Sequence, residues 1–306
     1  MSARRRKGPT IAGGILLVDK EAGITSTGVV NVVKRLFGGA KVGHLGTLDP
    51  FATGLLPLCV GEATKCAPYL NEADKSYSGT LRLGVSTDTN DPTGEIVQRR
   101  DVPAVAAAAL VDLEARFTGE IEQVPPVYSA IKRDGEPMYK RARRGEEVEL
   151  EPRRVRVDRV AFRLVQPDLV SIEVDCSKGT YVRSIARDVG EALGCGAILE
   201  SLARTRFGTF DLEGAVPLAE LKGEDGAAAA ARGLIPAIEA LAHLRLVEID
   251  LAVASALRSG QQRALTRLGP AENQGERIRV AADGHLVAVA HSSGPLWQLD
   301  RVFARL

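Results

Sequence analysis

GHLGTLDPFATGLLPLCVGEATK, at residues 43–65, is a glycine-rich loop around one acid that runs directly into an apolar stretch. Pro50 biases Asp49 toward an extended backbone, and the glycines of the segment permit a tight path with positive φ angles. An Asp-Pro step usually starts a solvated turn among polar residues, whereas apolar side chains crowd this one. The apolar run at 55–60 predicts a buried strand after the loop. The segment therefore favours Asp49 as a reactive carboxylate rather than a turn initiator.

Outside this segment, strand and helix patterns mix without a regular βαβ repeat. Periodicity and turn residues predict strands at 14–20, 75–84, 155–165 and 169–176, and helices at 26–37, 105–117 and 181–193. Thr25 or Ser26 is the expected cap of the first helix, and Thr180 that of the last. This mixture favours an α+β fold.

The C-terminal part of the chain has a different pattern. A short helix at 251–257 and strands at 277–281, 285–290 and 297–303 predict a compact β-rich unit. The chain is therefore expected to divide into a basic flexible tail at 1–12, a large domain at 13–245 and a small domain at 246–306.

The composition allows a substantial core and excludes a uniformly basic surface. The chain has 306 residues, 45% of them hydrophobic, and a net charge of +1. Any nucleic-acid surface must therefore be a local patch. The cysteines lie far apart without a CxxC pair, which indicates reduced core thiols rather than zinc ligands. They are Cys59, Cys66, Cys176 and Cys195.

The N-terminal basic run Arg4-Arg5-Arg6-Lys7 and the apolar residues after it superficially resemble a signal peptide. Two glycines and then Asp19 with Lys20 interrupt the apolar run too early for that interpretation. No other stretch reaches the roughly 18 apolar residues that a membrane span requires. The expectation is a soluble, cytoplasmic protein without membrane contact.

Seven segments, in the same order, resemble the TruB family of tRNA pseudouridine synthases. They are GILLVDKEAGITS at 14–26, the opening segment at 43–65, DKSY at 74–77, QVPPVYSAIK at 123–132, SKGTYVR at 177–183, LGCGA at 193–197 and LARTR at 202–206. The resemblance implies a pseudouridine synthase fold, with a mixed, largely antiparallel sheet flanked by helices, and a small PUA-like RNA-binding domain at the C-terminus. It also implies isomerisation of the uridine at position 55 in the T loop of tRNA, with no obligatory protein partner.

The implied reaction breaks a glycosidic bond, turns the base and joins the sugar to C5, so it needs neither a redox change nor an energy source. No cofactor and no metal are therefore expected, and the sequence has no phosphate-binding glycine loop and no metal-spaced His or Cys cluster. One carboxylate can serve by attacking the nucleoside or by assisting proton removal from the sugar. Both routes stay open, and by resemblance Asp49 is the catalytic residue in either.

Two further residues are expected beside this acid. A lone carboxylate among apolar groups tends to stay protonated, so an ionised Asp49 needs a cationic partner. By resemblance that partner is Arg183, although an ordinary surface arginine is the alternative. The matching tyrosine of the family, Tyr77 here, stacks on the target base and is a candidate for moving a proton. Its alternative is a plain strand aromatic.

The resemblance also assigns substrate-binding residues. His44 takes the place of the extruded base, because a base inside a folded loop cannot otherwise be reached. Tyr181 contacts the uridine and Leu202 supplies an apolar surface beside it, although Tyr181 could equally be a core residue. Lys20 and Lys65 match family lysines, and solvated positions explain them nearly as well.

A basic cluster lies in the segment 124–152, which matches a thumb-like RNA-binding insertion of the family. One interpretation is a solvated hairpin or short helix, because glutamates follow immediately. The other is a mobile flap that grips phosphates. The candidate phosphate contacts are Lys132, Lys140, Arg141, Arg143 and Arg144.

Some positions depart from the family pattern, and two other functions stay open. Glu21, Leu45, Phe51 and Ser76 stand where proline, threonine, leucine and a basic residue are usual. Leu45 puts in doubt a polar contact of the loop. A non-catalytic RNA-binding or tRNA-folding protein would have no use for the catalytic set. A nucleoside hydrolase normally needs a second acid close to the first.

Overall fold

The computed structural model describes residues 13–128, 132–133, 136–137, 144 and 150–304. In chain order the described strands are β1 Gly14–Lys20, β2 Val42–His44, β3 Thr53–Val60, β4 Lys75–Leu83, β5 Val85–Thr87, β6 Ile96–Arg99, β7 Gly119–Gln123, β8 Lys132–Arg133, β9 Glu136–Pro137, β10 Arg153–Gln166, β11 Leu169–Cys176, β12 Ala197–Phe207, β13 Phe210–Asp211, β14 Val216–Pro217, β15 Leu234–Pro236, β16 Arg245–Glu248, β17 Arg277–Ala282, β18 His285–Ser293 and β19 Leu296–Val302. The described α-helices are α1 Ser26–Leu36, α2 Ala67–Leu70, α3 Ala107–Phe117, α4 Val182–Ala192, α5 Leu218–Lys222, α6 Gly226–Arg232, α7 Ala237–Ala240 and α8 Leu251–Arg258. Short 3-10 helices lie at Gly61–Cys66, Leu212–Gly214 and Gln262–Leu268.

A large mixed sheet organises the N-terminal three quarters of the chain. In the described residues its main path runs β14-β1-β3-β12-β4-β11-β10-β7. Neighbours on this path pair antiparallel, except that β1 pairs β14 and β3 pairs β12 in parallel. The expected α+β fold with a mixed, largely antiparallel sheet is confirmed.

The predicted strands and helices are present with small shifts of their ends. The strand expected at 55–60 begins at Thr53, and the helix expected at 105–117 begins at Ala107. Thr25 caps α1 by accepting a hydrogen bond from the Gly28 amide at 3.0 Å. The cap predicted for α4 is wrong, because Tyr181 occupies the cap position and Thr180 makes no capping bond.

The strand β12 escaped prediction, although it lies at the centre of the sheet. Its sequence AILESLARTRF carries charges that ordinarily mark a surface segment. In the structure it runs between β3 and β4, and Gly54 makes the close approach to β3 possible. That glycine has a φ of +91°, and a Cβ there would lie 2.4 Å from the Arg204 carbonyl oxygen. A side chain at position 54 would therefore separate the two strands.

The C-terminal unit is a four-stranded sheet in the order β16-β17-β18-β19, with α8 packed on it. Its own core includes Leu257, Val280 and Trp297. Its first strand, β16, begins at Arg245, one residue before the domain boundary predicted at residue 246. A second apolar cluster joins this unit to the large sheet, because Phe303 packs in the same cluster as Leu45. Each such fully buried side chain contributes roughly 1.5–3 kcal/mol.

Several remaining expectations concern burial or lie outside the described residues. All four cysteines are buried free thiols, as predicted. Among the described helices, none is long and apolar enough to cross a membrane. The basic tail at 1–12 lies outside the described residues, as do Lys140, Arg141, Arg143 and the side chain of Lys132. Arg144 is described and exposed.

Candidate active site

A cavity of about 650 Å³ opens where the loop before β3 meets β4, β12 and the start of α4. Its volume lies within the range of about 300–1,000 Å³ that is typical of small-ligand sites. The structure brings six of the predicted site residues to its wall. They are His44, Asp49, Tyr77, Tyr181, Arg183 and Leu202.

The loop that carries Asp49 is anchored by apolar side chains on two sides. Leu48 and Ala52 are buried in the main core, and Leu45 is buried in the cluster shared with the C-terminal unit. Asp49 faces the cavity with a third of its side chain exposed. Leu45 therefore serves packing, which accounts for the apolar residue at this position of the loop.

Polar contacts fix the backbone on either side of the acid. The Ser26 hydroxyl accepts a hydrogen bond from the Leu48 amide and donates one to the Leu48 carbonyl, both at 2.9 Å. The Lys20 ammonium, which is fully buried, donates to three carbonyls. These belong to Glu21 at 3.0 Å, Pro50 at 3.1 Å and Ala52 at 2.5 Å. All three donors of the ammonium are thus used, and two of them hold carbonyls of the loop.

Arg183 lies in the first turn of α4 and connects the catalytic candidate to a second acid. Its Nε lies 2.9 Å from Asp49 Oδ2, and its Nη2 donates to Asp49 Oδ1 at 3.3 Å. Its Nη1 lies 3.3 Å from Asp91 Oδ2. The same guanidinium donates to the carbonyls of Thr89 at 3.0 Å and Tyr128 at 2.9 Å. The side chain is 5% exposed, so the alternative of a solvated surface arginine does not hold.

Asp91 is held in turn by the loop that follows β5. Its Oδ1 accepts hydrogen bonds from the Thr89 hydroxyl at 2.8 Å, the Thr93 hydroxyl at 2.6 Å and the Thr93 amide at 2.9 Å. With one oxygen occupied in this way, the other is directed at Arg183. The arginine is therefore clamped between two carboxylates, only one of which faces the cavity with substantial exposure.

The groups around Asp49 shift its pKa in opposite directions. Burial raises its pKa above the ordinary value and the Asp91 carboxylate acts in the same direction, whereas Arg183 and Lys20 lower it. Burial also lowers the pKa of Lys20 to about 8, against the pull of Asp49 and Glu21. Two cations and two acids share the region. Asp49 is thus an acid whose ionised form depends on its cationic neighbours.

Tyr77 lines the cavity from β4 and contacts a buried cation. Burial raises the pKa of its phenol, and Arg204, which hydrogen-bonds the hydroxyl, opposes that shift. The phenol is therefore protonated at neutral pH. Arg204 lies on β12 and is 1% exposed.

The remaining wall residues present flat or apolar surfaces. Burial, together with Arg204, lowers the pKa of His44, so its imidazole is neutral at pH 7. The backbone of Tyr181 is fixed by the side chain of Gln123, which accepts from its amide at 2.8 Å and donates to its carbonyl at 3.0 Å. Leu202 is 8% exposed at the cavity wall.

Two of the lysines expected to bind substrate lie outside the cavity wall. Lys20 is buried beneath the loop and Lys65 lies at the junction with the C-terminal unit, so neither lines the cavity. Lys65 Nζ lies 2.6 Å from a Glu62 carboxylate oxygen, donates to the Val302 carbonyl at 2.9 Å and lies 5.8 Å from the Phe303 ring centroid. Motif position alone could not reveal which face these side chains occupy.

Sequence reasoning missed four residues that shape the site: Ser26, Lys75, Asp91 and Arg204. Asp91 stands in a turn-rich string, where an acid ordinarily reads as a turn former. Lys75 and Arg204 fall inside the DKSY and LARTR segments, so those segments were the available signal. Neither could be assigned a role without knowing that β4 and β12 are neighbours.

Solved structures confirm the fold. A chain in the crystal structure of a Cbf5-Nop10-Gar1 complex superposes with a TM-score of 0.69 and 26% identity, over 96% of this chain and 86% of that one. A chain of the archaeal box H/ACA sRNP Nop10-Cbf5 complex gives the same TM-score at 24% identity, over 96% of this chain and 87% of that one. These similarities show that the chain has the pseudouridine synthase fold.

Sequence comparisons identify the family to which the chain belongs. The family described as TruB family pseudouridylate synthase (N terminal domain) matches residues 34–182, and the tRNA pseudouridylate synthase B C-terminal domain matches residues 183–242. A protein of Burkholderia mallei named tRNA pseudouridine synthase B is 47% identical over 96% of this chain and 94% of its own length. One of the same name from Geobacter sulfurreducens is 42% identical over 96% of this chain and 98% of its own length. The chain belongs to the TruB family.

Proposed function

We propose that this chain converts a uridine of tRNA to pseudouridine, and that its target is position 55 in the T loop. The observation that carries the proposal is the Asp49–Arg183 ion pair, which lies beside Tyr77 in the wall of one cavity. Relatives at 42–47% identity over nearly the whole chain bear the name tRNA pseudouridine synthase B. No redox change is required, so the proposal includes no cofactor.

The target base must first leave its stack, because a uridine in a folded loop is out of reach of a concave site. The cavity has the volume of a small-ligand site, which suits one extruded nucleoside. His44 is the proposed group that fills the gap in the RNA. Its neutral, planar imidazole can stack without placing a charge among the bases.

Asp49 then acts at the sugar, either by attacking it or by assisting removal of a sugar proton as the base departs. Arg183 holds the carboxylate in one orientation by contacts to both of its oxygens. Tyr77 stacks on the base and is the candidate proton carrier. Tyr181 and Leu202 supply the remaining contacts to the uridine.

Contacts to the rest of the T arm are assigned to two regions. The thumb-like insertion at 124–152 supplies cations to the phosphates, and the C-terminal unit from Arg245 onward acts as a PUA-like RNA-binding domain. The proposed phosphate contacts are Lys132, Lys140, Arg141, Arg143 and Arg144.

A nucleoside hydrolase is disfavoured by the acids at the site. Among the described residues, Asp49 and Asp91 are the acids that line the cavity. Asp91 is already engaged by three hydrogen bonds and by Arg183, so no second free carboxylate is available to assist a leaving group. The names of the relatives give no support to a non-catalytic role.

The test is incubation of the purified protein with an unmodified tRNA transcript, followed by mapping of pseudouridine at nucleotide resolution. Pseudouridine at position 55, and none in a transcript that carries cytidine there, is the expected result. Free uracil would identify a hydrolase, and tight binding without either product would identify a binding protein. An isolated T-arm hairpin tests whether the T arm alone is sufficient for recognition.

A further inference from the structure

Two buried cations beside Tyr77 have no part in the mechanism given above. Lys75 lies on β4 and Arg204 on β12, and both line the cavity. Lys75 is 8% exposed and Arg204 is 1% exposed. Both also lie over the ring of Phe207, with Lys75 Nζ 4.7 Å and Arg204 Cζ 5.4 Å from its centroid.

Neither cation forms an ion pair with a carboxylate in the part of the chain that the structure describes. Arg204 donates from Nε to the Leu55 carbonyl at 2.7 Å and from Nη2 to the Gly46 carbonyl at 3.2 Å, besides its bond to the Tyr77 hydroxyl. Lys75 donates to the Ala73 carbonyl. Two adjacent buried charges without an anion are costly unless an anion arrives during function.

The acids nearest to Lys75 are already engaged elsewhere. Glu72 pairs with Lys178, and Asp74 pairs with Arg156 at 2.9 Å. On β11, burial raises the pKa of the Cys176 thiol to about 11, so it stays neutral. The positive charge at Lys75 and Arg204 therefore remains available to the cavity.

The proposed isomerisation generates an anion from the target base. When the C1′–N1 bond breaks, its electron pair leaves with the base, and the negative charge spreads over the ring nitrogen and the carbonyl oxygens of uracil. The C5–C1′ bond then forms with the electrons of the C5–C6 double bond. C5 loses its proton and N1 gains one, so the product is neutral.

We propose that Lys75 and Arg204 stabilise the uracil anion formed on glycosidic bond cleavage, an inference that rests on the proposed isomerisation. Lys75 supplies charge to the base, and Arg204 adds charge while acting as a positioning residue for Tyr77. A guanidinium can only donate, so the Tyr77 oxygen accepts from Arg204 and its own proton is directed elsewhere, toward the base. The uracil anion exists only between a neutral substrate and a neutral product. Groups that stabilise this anion therefore accelerate the reaction without tightening substrate binding.

The test compares wild type with Lys75→Met and Lys75→Arg in single-turnover assays at saturating tRNA. Removal of one preorganised group that stabilises a developing anion costs about 10²–10³-fold in rate. We expect a loss of about 10²-fold in Lys75→Met, little change in tRNA affinity, and substantial recovery in Lys75→Arg. Arg82→Gln is the control, because Arg82 lies on the same strand but pairs with Asp168 and Glu200 outside the cavity.

The pH dependence separates this role from a structural one. Burial and Arg204 lower the pKa of Lys75 to about 8, so the wild-type charge is lost as the pH rises through that value. The ratio of wild-type to Lys75→Met rates is therefore expected to fall toward one above pH 8. Titration of Lys20, whose pKa is also about 8, cancels because both proteins contain it.

A rate in Lys75→Met within about threefold of wild type, or a ratio independent of pH, overturns the inference. If Lys75→Met melts well below wild type, Lys75→Gln replaces it and the same two criteria apply. These failures leave the proposed function intact as long as wild type forms pseudouridine. If wild type forms none, the proposed function fails and this inference fails with it.

Discussion

Replacement of Arg183 by lysine isolates the geometry of the site from its charge. Arg183 reaches both oxygens of Asp49, one oxygen of Asp91 and two backbone carbonyls. A single ammonium cannot reproduce this planar arrangement. With hydrogen bonds to charged groups worth about 1.5–3 kcal/mol each, the loss of one contact to each acid corresponds to roughly 3–6 kcal/mol.

Part of that loss is recovered because lysine keeps a positive charge near Asp49. We therefore expect the single-turnover rate of Arg183→Lys to fall about 10²–10³-fold, which corresponds to roughly 3–4 kcal/mol in the barrier. The affinity for tRNA should change by less than about threefold, since Arg183 is buried and acts on the carboxylate. Rates come from pseudouridine formation with enzyme in excess, and affinities from filter binding.

The matched control is Arg187→Lys, one turn further along α4. Arg187 pairs with its neighbour Asp188 and is more exposed, and it does not line the cavity. This variant should keep both rate and affinity. A wild-type rate in Arg183→Lys, or a parallel loss of rate and affinity, would refute the assignment of Arg183 as the residue that orients Asp49.

The remaining predictions concern charge at three places. Asp49→Asn should bind tRNA normally and form no pseudouridine, because it keeps the shape and removes the ionisable oxygen; product at a near wild-type rate counts against Asp49. Asp91→Asn should lower the pKa of Asp49, because a neighbouring negative charge is lost, so the acid limb of the rate profile should move to lower pH. A shift of that limb to higher pH would mean that Asp91 acts mainly by holding Arg183. Joint neutralisation of the basic insertion should weaken tRNA binding and flatten its salt dependence while the saturated rate changes much less, whereas an unchanged salt slope would indicate a solvated flap. The residues to neutralise are Lys140, Arg141, Arg143 and Arg144.

Most strands and helices could be predicted because the spacing of their apolar residues follows from burial of one face or of both faces. The strand Gly14–Lys20 is apolar on both faces, and α1 places apolar residues at helical spacing against the core. The strand Ala197–Phe207 could not be predicted, since its charged residues form hydrogen bonds and ion pairs with partners distant in sequence. Arg204 donates to the carbonyls of Leu55 in β3 and Gly46 in the catalytic loop, which lie 149 and 158 positions earlier in the chain.

The residues of the site show the same contrast between features that local sequence predicts and features that depend on distant parts of the chain. The glycine loop and its crowded apolar neighbours pointed to Asp49 from local sequence alone, and the family resemblance supplied Tyr77 and Arg183. Whether a motif lysine faces the substrate or the protein depends on which strands are neighbours. For that reason Lys20 and Lys65 were expected to bind the substrate, and Lys75 was assigned no role.

The apolar cluster shared by Leu45 and Phe303 makes the two structural units interdependent. A chain that ended before the C-terminal sheet would lack Leu286, Val289 and Phe303, and would expose part of this cluster to water. The C-terminal unit therefore completes an apolar cluster of the large domain and is not a detachable module. Exchange of this unit between relatives would require that the residues of the large domain in this cluster be exchanged with it.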